Sequence, residues 1–170
     1  MLNLSGIVQD SIVDGPGLRI AIFAQGCPHK CTGCHNPETW DFSGGTKISV
    51  EEVYEIIRQN PLCHGVTFSG GEPFCQAEEF SRLAKMLKAD GYEVASYTGY
   101  TLEELLALNT PAVLDLLQSL DILIDGRFEI KNRSLELLFK GSTNQRILDV
   151  EKSLTSSTPV LSTDPRWLGE

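Results

Sequence analysis

Four apolar runs, "LRIAIFAQG", "GVTFSGG", "EVASYTG" and "DILIDG", each close on glycine, and the stretches between them carry helical periodicity. "SVEEVYEIIRQN" sets Val53, Ile56 and Ile57 on one face behind a Ser49–Glu52 capping box. "QAEEFSRLAKMLKADG" turns Phe80, Leu83, Ala84 and Leu87 inward and stops at Gly91. Thr101 and Glu104 form another capping box, and Pro111 opens a helix over "PAVLDLLQSL". A fifth strand is expected at "LELLFKG". Strand alternating with helix predicts an α/β fold: a mostly parallel sheet with helices outside it, open or partly closed like a portion of a barrel. The 170 residues, 41% of them hydrophobic, suffice for one core and not comfortably for two. A single domain over 1–170 is expected, with 151–170 a C-terminal tail of no assigned structure.

Ligands in parallel α/β folds bind at the carboxyl ends of the strands, and the polar segments of this chain fall there. In order they are the cysteine loop, "SGGEP", "YTGY", "IDGRF" and "KGSTNQR". The cysteine loop, "QGCPHKCTGCHNPETW", packs Cys27, Cys31 and Cys34 into eight positions. Five cysteines, an odd number with three clustered, fit reduced thiols better than a disulfide framework. No apolar run is long enough to span a bilayer and "MLNLSGIVQD" lacks the features of a signal peptide, so a cytoplasmic protein without a membrane partner is expected. With 14 basic and 23 acidic residues and a net charge of -9, nucleic acid is not an expected partner either.

Spacing alone leaves three readings of the thiols open: a zinc site, an iron-sulfur cluster, or no metal. A structural zinc site takes four ligands, usually as two short pairs. The candidates for a fourth here, His29, His35, Cys63 and Cys75, form no such pair. A four-iron cluster on three cysteines keeps one iron free of protein, a place to do chemistry. The ordinary reading of His29, His35 and His64 is a loop or surface histidine, and of Cys63 and Cys75 a small hydrophobe. At "GVTFSGGEP", Gly70 and Gly71 let a ligand lie against backbone, Glu72 supplies a carboxylate and Pro73 fixes the exit, a ledge suited to a cationic amine. A plain strand-to-helix turn is the other reading.

Taken together, Cys27, Cys31 and Cys34 with the Gly70–Pro73 motif resemble the radical S-adenosylmethionine enzymes. "VDGPGLR" and "CHNPETW" are similar to the branch that activates glycyl-radical enzymes. "YTGYTLEEL", "IDGRF", "FKGSTNQRILD" and the short length are similar to activating proteins of anaerobic ribonucleoside-triphosphate reductase. The resemblance runs from about Ser5 to Asp149, and Gly33 stands where the superfamily often has an aromatic residue.

The resemblance implies an open β/α barrel of the radical S-adenosylmethionine type, an oxidoreductase with two cofactors: a 4Fe-4S cluster on the three cysteines and S-adenosylmethionine chelated to the open iron. Reductive cleavage then gives methionine and a 5'-deoxyadenosyl radical, which takes hydrogen from a glycine Cα of the partner, anaerobic ribonucleotide reductase. A low-potential donor such as flavodoxin or ferredoxin supplies the electron. Gly33, Gly70, Gly71, Glu72 and Pro73 are implied cofactor contacts, with Glu72 on the methionyl ammonium. Thr98 and Asp125 are candidates for the ribose or a monovalent cation, and Asn144 and Arg146 for the methionyl carboxylate. Asp14 is the candidate contact to the incoming glycine loop. For Thr98, Asp125 and Asp14 a turn-forming role stays open, as does a surface ion pair for Arg146. No catalytic residue beyond these ligands is implied. Pyruvate formate-lyase or another glycyl-radical enzyme, a small-molecule substrate, a non-catalytic iron-sulfur carrier and a zinc module are the alternatives.

Overall fold

Every apolar run closing on glycine becomes a strand. The computed structural model describes residues 1–169, and the strands are β1 (Leu2–Ser11), β2 (Arg19–Ala24), β3 (Thr46–Ile48), β4 (Gly65–Gly70), β5 (Glu93–Tyr97), β6 (Ile122–Asp125) and β7 (Arg146–Asp149). They form one sheet in the order β3-β1-β2-β4-β5-β6-β7. The four expected strands, β2, β4, β5 and β6, pair in parallel at its centre. Antiparallel strands close both edges, β1 and β3 on one side and β7 on the other. The fold is the expected open α/β arrangement with a mostly parallel sheet.

The helices are α1 (Val50–Arg58), α2 (Ala77–Ala89), α3 (Leu102–Leu108), α4 (Pro111–Gln118), α5 (Val150–Ser156) and the single turn α6 (Pro165–Leu168). Thr101 and Glu104 make a reciprocal capping box on α3. At α1 the cap is one-sided, Ser49 Oγ accepting the Glu52 N–H at 3.1 Å. No helix among the described residues is long and apolar enough to cross a membrane.

Alternation along the strands divides the sheet into two unlike faces. Ile20, Ile22, Ala24, Val66, Phe68, Val94, Leu123 and Leu148 join the inward side chains of α1 to α5 in one apolar cluster. The opposite face is shorter of apolar bulk, with Arg19, Thr67 and Ser69 beside Ala95, Ile122, Ile124 and Ile147. Five helices cover the first face, and the second is left as the inner surface of a partial barrel.

Two expectations are corrected. "LELLFKG" is not a strand: residues 135–141 run as turns, Leu135 is 85% exposed and Phe139 has a φ of +62° that no strand admits. The last strand is β7, where buried Ile147 and Leu148 face the two sides of the sheet and Arg146 pairs in register with Asp125. Strands β1 and β3 were not anticipated. Leu2 and Leu4 are the buried apolar residues of β1, too few to mark a pattern in the sequence.

Candidate active site

The cysteine loop leaves β2 through Gly26, whose φ of +103° and contact with the Phe42 ring exclude a side chain. Its course is pinned to the following segment by the Gly26 N–H on Thr39 O at 2.7 Å and the Cys27 N–H on Trp40 O at 3.2 Å. Cys27 is buried, whereas Cys31 and Cys34 are half-buried. Burial pushes the Cys27 and Cys31 thiols up, opposed in part by nearby backbone amides, from His29 at Cys27 and from Phe128 at Cys31. The Asn36 N–H reaches Cys34 Sγ at 3.4 Å. Amides aimed at sulfur favour thiolate and tune whatever metal the sulfur holds.

The next parallel strand supplies the glycines. Gly70 ends β4 at φ +87°, and a Cβ there would lie 2.6 Å from the Ala24 nitrogen. One on Gly71 would lie 2.4 Å from the Gly26 carbonyl oxygen. The missing side chains thus make room for the chain's own backbone, and two hydrogen bonds follow from the close approach: Gly71 N–H to Ala24 O at 2.8 Å and Glu72 N–H to Gly26 O at 2.9 Å. Pro73 then begins a 3-10 turn, Pro73–Gln76, that leads into α2.

Glu72 is fully buried and both its oxygens are engaged. Oε1 accepts the Phe74 N–H at 3.1 Å and the Thr98 hydroxyl at 2.9 Å. Oε2 accepts the Gly99 N–H at 2.8 Å and lies 2.7 Å from His29 Nε2. One carboxylate therefore joins the cysteine loop, the Gly-Gly-Glu-Pro segment and the end of β5. His29, read as an ordinary loop residue, is instead enclosed between Glu72 and the Tyr100 ring, whose centroid is 4.6 Å away.

These segments open on a cavity of about 490 Å³ along the inner face of the sheet. Cys27, Cys31, Cys34, Gly70, Gly71, Thr98 and Asp14 all line it. Asp14 belongs to the turn between β1 and β2, which folds over the inner face so that Thr67 Oγ1 donates to the Asp14 carbonyl at 2.8 Å. Gly33, Glu72, Pro73, Asp125, Asn144 and Arg146 do not line the cavity. Gly33, at φ +77°, backs onto Ile130. Asn144 donates to Arg127 O at 2.8 Å in an exposed position. Asp125 is fully buried, caps α3 through the Leu102 N–H at 2.8 Å, and accepts the Arg146 guanidinium on both oxygens. Arg146 also meets Glu103 at 2.7 Å, and the two carboxylates hold its proton more tightly than usual. This pair fastens β7 and α3 to β6.

Sequence reasoning missed Tyr97, Lys140 and Gln145, which line the cavity. Gln145 donates to Gly126 O at 3.0 Å and accepts the Gly141 N–H at 2.8 Å, knitting two strand-end segments. Its signal was its place in "KGSTNQR", where Asn144 and Arg146 read as the ligand contacts instead. A larger depression of about 660 Å³ near α5 holds Lys88, Asp121 and Asp149, but there Lys88 pairs with Asp121 at 2.5 Å and Asp149 caps α5.

No group of three or more His, Cys, Asp or Glu side chains among the described residues is gathered closely enough to hold a single metal ion. Three soft thiols spread along one loop, all on one cavity, fit a larger multinuclear group. The remaining cysteines stand apart: Cys63 is buried with its thiol 3.5 Å from Asp10 Oδ1, and Cys75 is exposed outside the cavity lining. Cys63→Ala and Cys75→Ala are expected to keep full iron content on anaerobic reconstitution, with at most about 1–2 kcal/mol of packing loss at Cys63 in chemical denaturation. Loss of iron in either variant contradicts the three-cysteine assignment.

A family model described as a 4Fe-4S single cluster domain matches residues 13–148. The anaerobic ribonucleoside-triphosphate reductase-activating protein of Enterobacteria phage T4 is 34% identical over 152 residues, 86% of this chain and 93% of that one. Its namesake from Escherichia coli K12 is 31% identical over 142 residues, covering 79% and 90%. The pyruvate formate-lyase-activating enzyme of Clostridium pasteurianum is 38% identical over 125 residues, 68% of this chain and 52% of that one. Among solved structures, QueE from Escherichia coli matches with a TM-score of 0.49 at 24% identity, covering 59% of this chain and 53% of that chain. With the cysteine loop matched inside a single-cluster domain and 34% identity to the T4 protein over most of both chains, this chain belongs to the 4Fe-4S family of anaerobic ribonucleoside-triphosphate reductase-activating proteins.

Proposed function

We propose that the protein reductively cleaves S-adenosylmethionine and generates a glycyl radical on anaerobic ribonucleoside-triphosphate reductase. The observation that carries the reading is the shared cavity, in which the three cysteines, the Gly70–Gly71 backbone and Asp14 face one another. When bound, a 4Fe-4S cluster supplies the electron that cleaves the sulfonium. Cys27, Cys31 and Cys34 hold that cluster, and Gly70 and Gly71 offer backbone to the methionyl group. Thr98 approaches the cofactor from the end of β5, and Asp14 meets the glycine-bearing segment from the other end of the cavity. Glu72 acts by holding these segments together, since its four hydrogen bonds leave it no lone pair for an ammonium. Asp125 and Arg146 likewise hold the strand ends in place, with Gly33, Pro73 and Asn144 shaping the surrounding turns. Phe23, Phe128 and Trp40 line the cavity and exclude water from a reactive carbon.

Reduced thiols support a cytoplasmic setting, and the net charge of -9 supports a chain that does not bind nucleic acid. In this reading a small low-potential donor such as flavodoxin or ferredoxin supplies the electron, and no membrane takes part. Residues 1–170 act as one domain in this reading. The test combines reduced protein, S-adenosylmethionine and the anaerobic reductase under anoxic conditions. A carbon-centred radical is expected on the reductase, seen by electron paramagnetic resonance as a doublet split by the remaining α-hydrogen. Replacing the target glycine by alanine should remove the signal while uncoupled cofactor cleavage continues. A silent reductase beside a doublet on pyruvate formate-lyase assigns the chemistry to that other target.

A further inference from the structure

The C-terminal tail, "EKSLTSSTPVLSTDPRWLGE", carries no recognised motif, yet Trp167 within it is completely buried. It packs on the inner face of the sheet with Ala95, Ile122, Ile124 and Ile147, so it floors the partial barrel whose cavity holds the cysteines. We propose that Trp167 is a positioning residue that holds apart, at their working separation, the two walls between which a polypeptide substrate passes. These walls are the turn at 13–17 and the segment at 137–141. The substrate in this inference rests on the activase reading above, whereas the contacts do not.

Both walls rest directly on the indole. On one side Gly15 has a φ of +145°, and a Cβ there would lie 2.8 Å from Trp167 Cη2 and 2.6 Å from Arg19 Cδ. Val13 and Asp14, immediately before it, line the cavity, and Val13 is 71% exposed. On the other side Phe139 meets Trp167 edge to face, with centroids 5.3 Å apart at 72°. Phe139 holds a left-handed φ of +62° and lines the cavity with Leu137, Lys140 and Gly141. Its carbonyl is tied by the Tyr97 hydroxyl at 2.7 Å. A non-glycine residue in that region persists only where its surroundings hold it, and such conformations gather where function needs fixed geometry.

The tail is itself locked to the sheet. Glu93 accepts Arg19 on one oxygen at 2.8 Å and Arg166 on the other at 2.6 Å, so that one carboxylate ties the tail to β2. Arg19 also lies 5.2 Å from the indole centroid and donates to Thr67 Oγ1, the hydroxyl that holds the Asp14 carbonyl. The Ser162 N–H on Ile147 O, at 2.9 Å, anchors the approach to α6. The Trp167 indole N–H has no partner among the described residues, so the ring serves by its bulk rather than its polarity.

The test uses reconstituted full-length protein as wild type, Trp167→Ala, Trp167→Phe and Gly15→Ala. The alanine variant at 167 is expected to keep its iron and its partner-independent cofactor cleavage within about twofold, while KM for the reductase rises about tenfold and kcat changes less. Amide exchange should quicken at 12–17 and 137–141 and not through β2, β4 and β5. Trp167→Phe should restore most of both, and Gly15→Ala, pushing the same wall with Trp167 intact, should reproduce the KM defect. Unchanged KM with unchanged exchange overturns the proposal. So does iron loss with exchange rising throughout the sheet and no rescue by phenylalanine, which would make Trp167 core filling alone. If wild type leaves the reductase without a radical, the activase reading falls, and the exchange pattern still decides whether Trp167 holds the walls.

Discussion

Changing Cys27, Cys31 or Cys34 singly to alanine is expected to abolish cleavage of S-adenosylmethionine, with activity falling to background in each case. Wild-type protein reconstituted with iron and sulfide should carry about four irons per chain, and each variant far fewer. The three positions are equivalent in this respect because all three line the cavity and no other thiol among the described residues does. Cys63 lies in the main core, and His29 is held by Glu72. Iron analysis and visible absorbance separate loss of the cluster from loss of fold, which circular dichroism reads independently. Stoichiometric zinc and no iron after anoxic reconstitution would sink both the cluster and the activase. A variant that keeps four irons and full cleavage would remove that cysteine from the ligand set.

Glu72→Ala should produce the largest stability loss of any single change near the site, on the order of 3–5 kcal/mol in denaturant unfolding. The substitution strands the Phe74 and Gly99 amides, the Thr98 hydroxyl and His29 without the buried acceptor that Glu72 supplies. For a chain of this size the loss corresponds to a fall in Tm on the order of 10 °C. Glu72→Gln should lie between alanine and wild type. Its amide oxygen can replace one carboxylate oxygen, but its NH₂ must then face a donor. Unfolding within about 1 kcal/mol of wild type for the alanine variant would show that Glu72 is not the knot described here. A stable glutamine variant that binds S-adenosylmethionine poorly would return Glu72 to the role the motif suggested, a direct contact to the methionyl ammonium.

Much of the fold was legible because its signals are local. Each central strand ends where glycine must stand, and Gly26 and Gly70 are required there by positive φ and by backbone crowding. The helix starts follow from Ser49, Thr101 and Pro111, whose effects reach only three or four residues. The cysteine spacing needed no fold at all, since three thiols within eight positions meet on one loop whatever surrounds them.

What the residues determined by themselves was therefore the alternation of strand and helix, the loop of three thiols and the family those motifs mark. Which polar side chains face the cavity was decided only by tertiary structure, because it depends on the phase of a strand and on partners far away in sequence. Arg146 reads as a free fork for a carboxylate until β7 runs antiparallel to β6 and sets it against Asp125. Glu72 reads as a ligand acceptor until β5, 26 and 27 residues on, brings Thr98 and Gly99 to its oxygens. Trp167 lies in a stretch without a recognised motif, and only α6, folding beneath the sheet, sets it between Gly15 and Phe139. A buried polar or aromatic group takes whatever partner removes the cost of its desolvation, and only the folded chain says which partner is within reach.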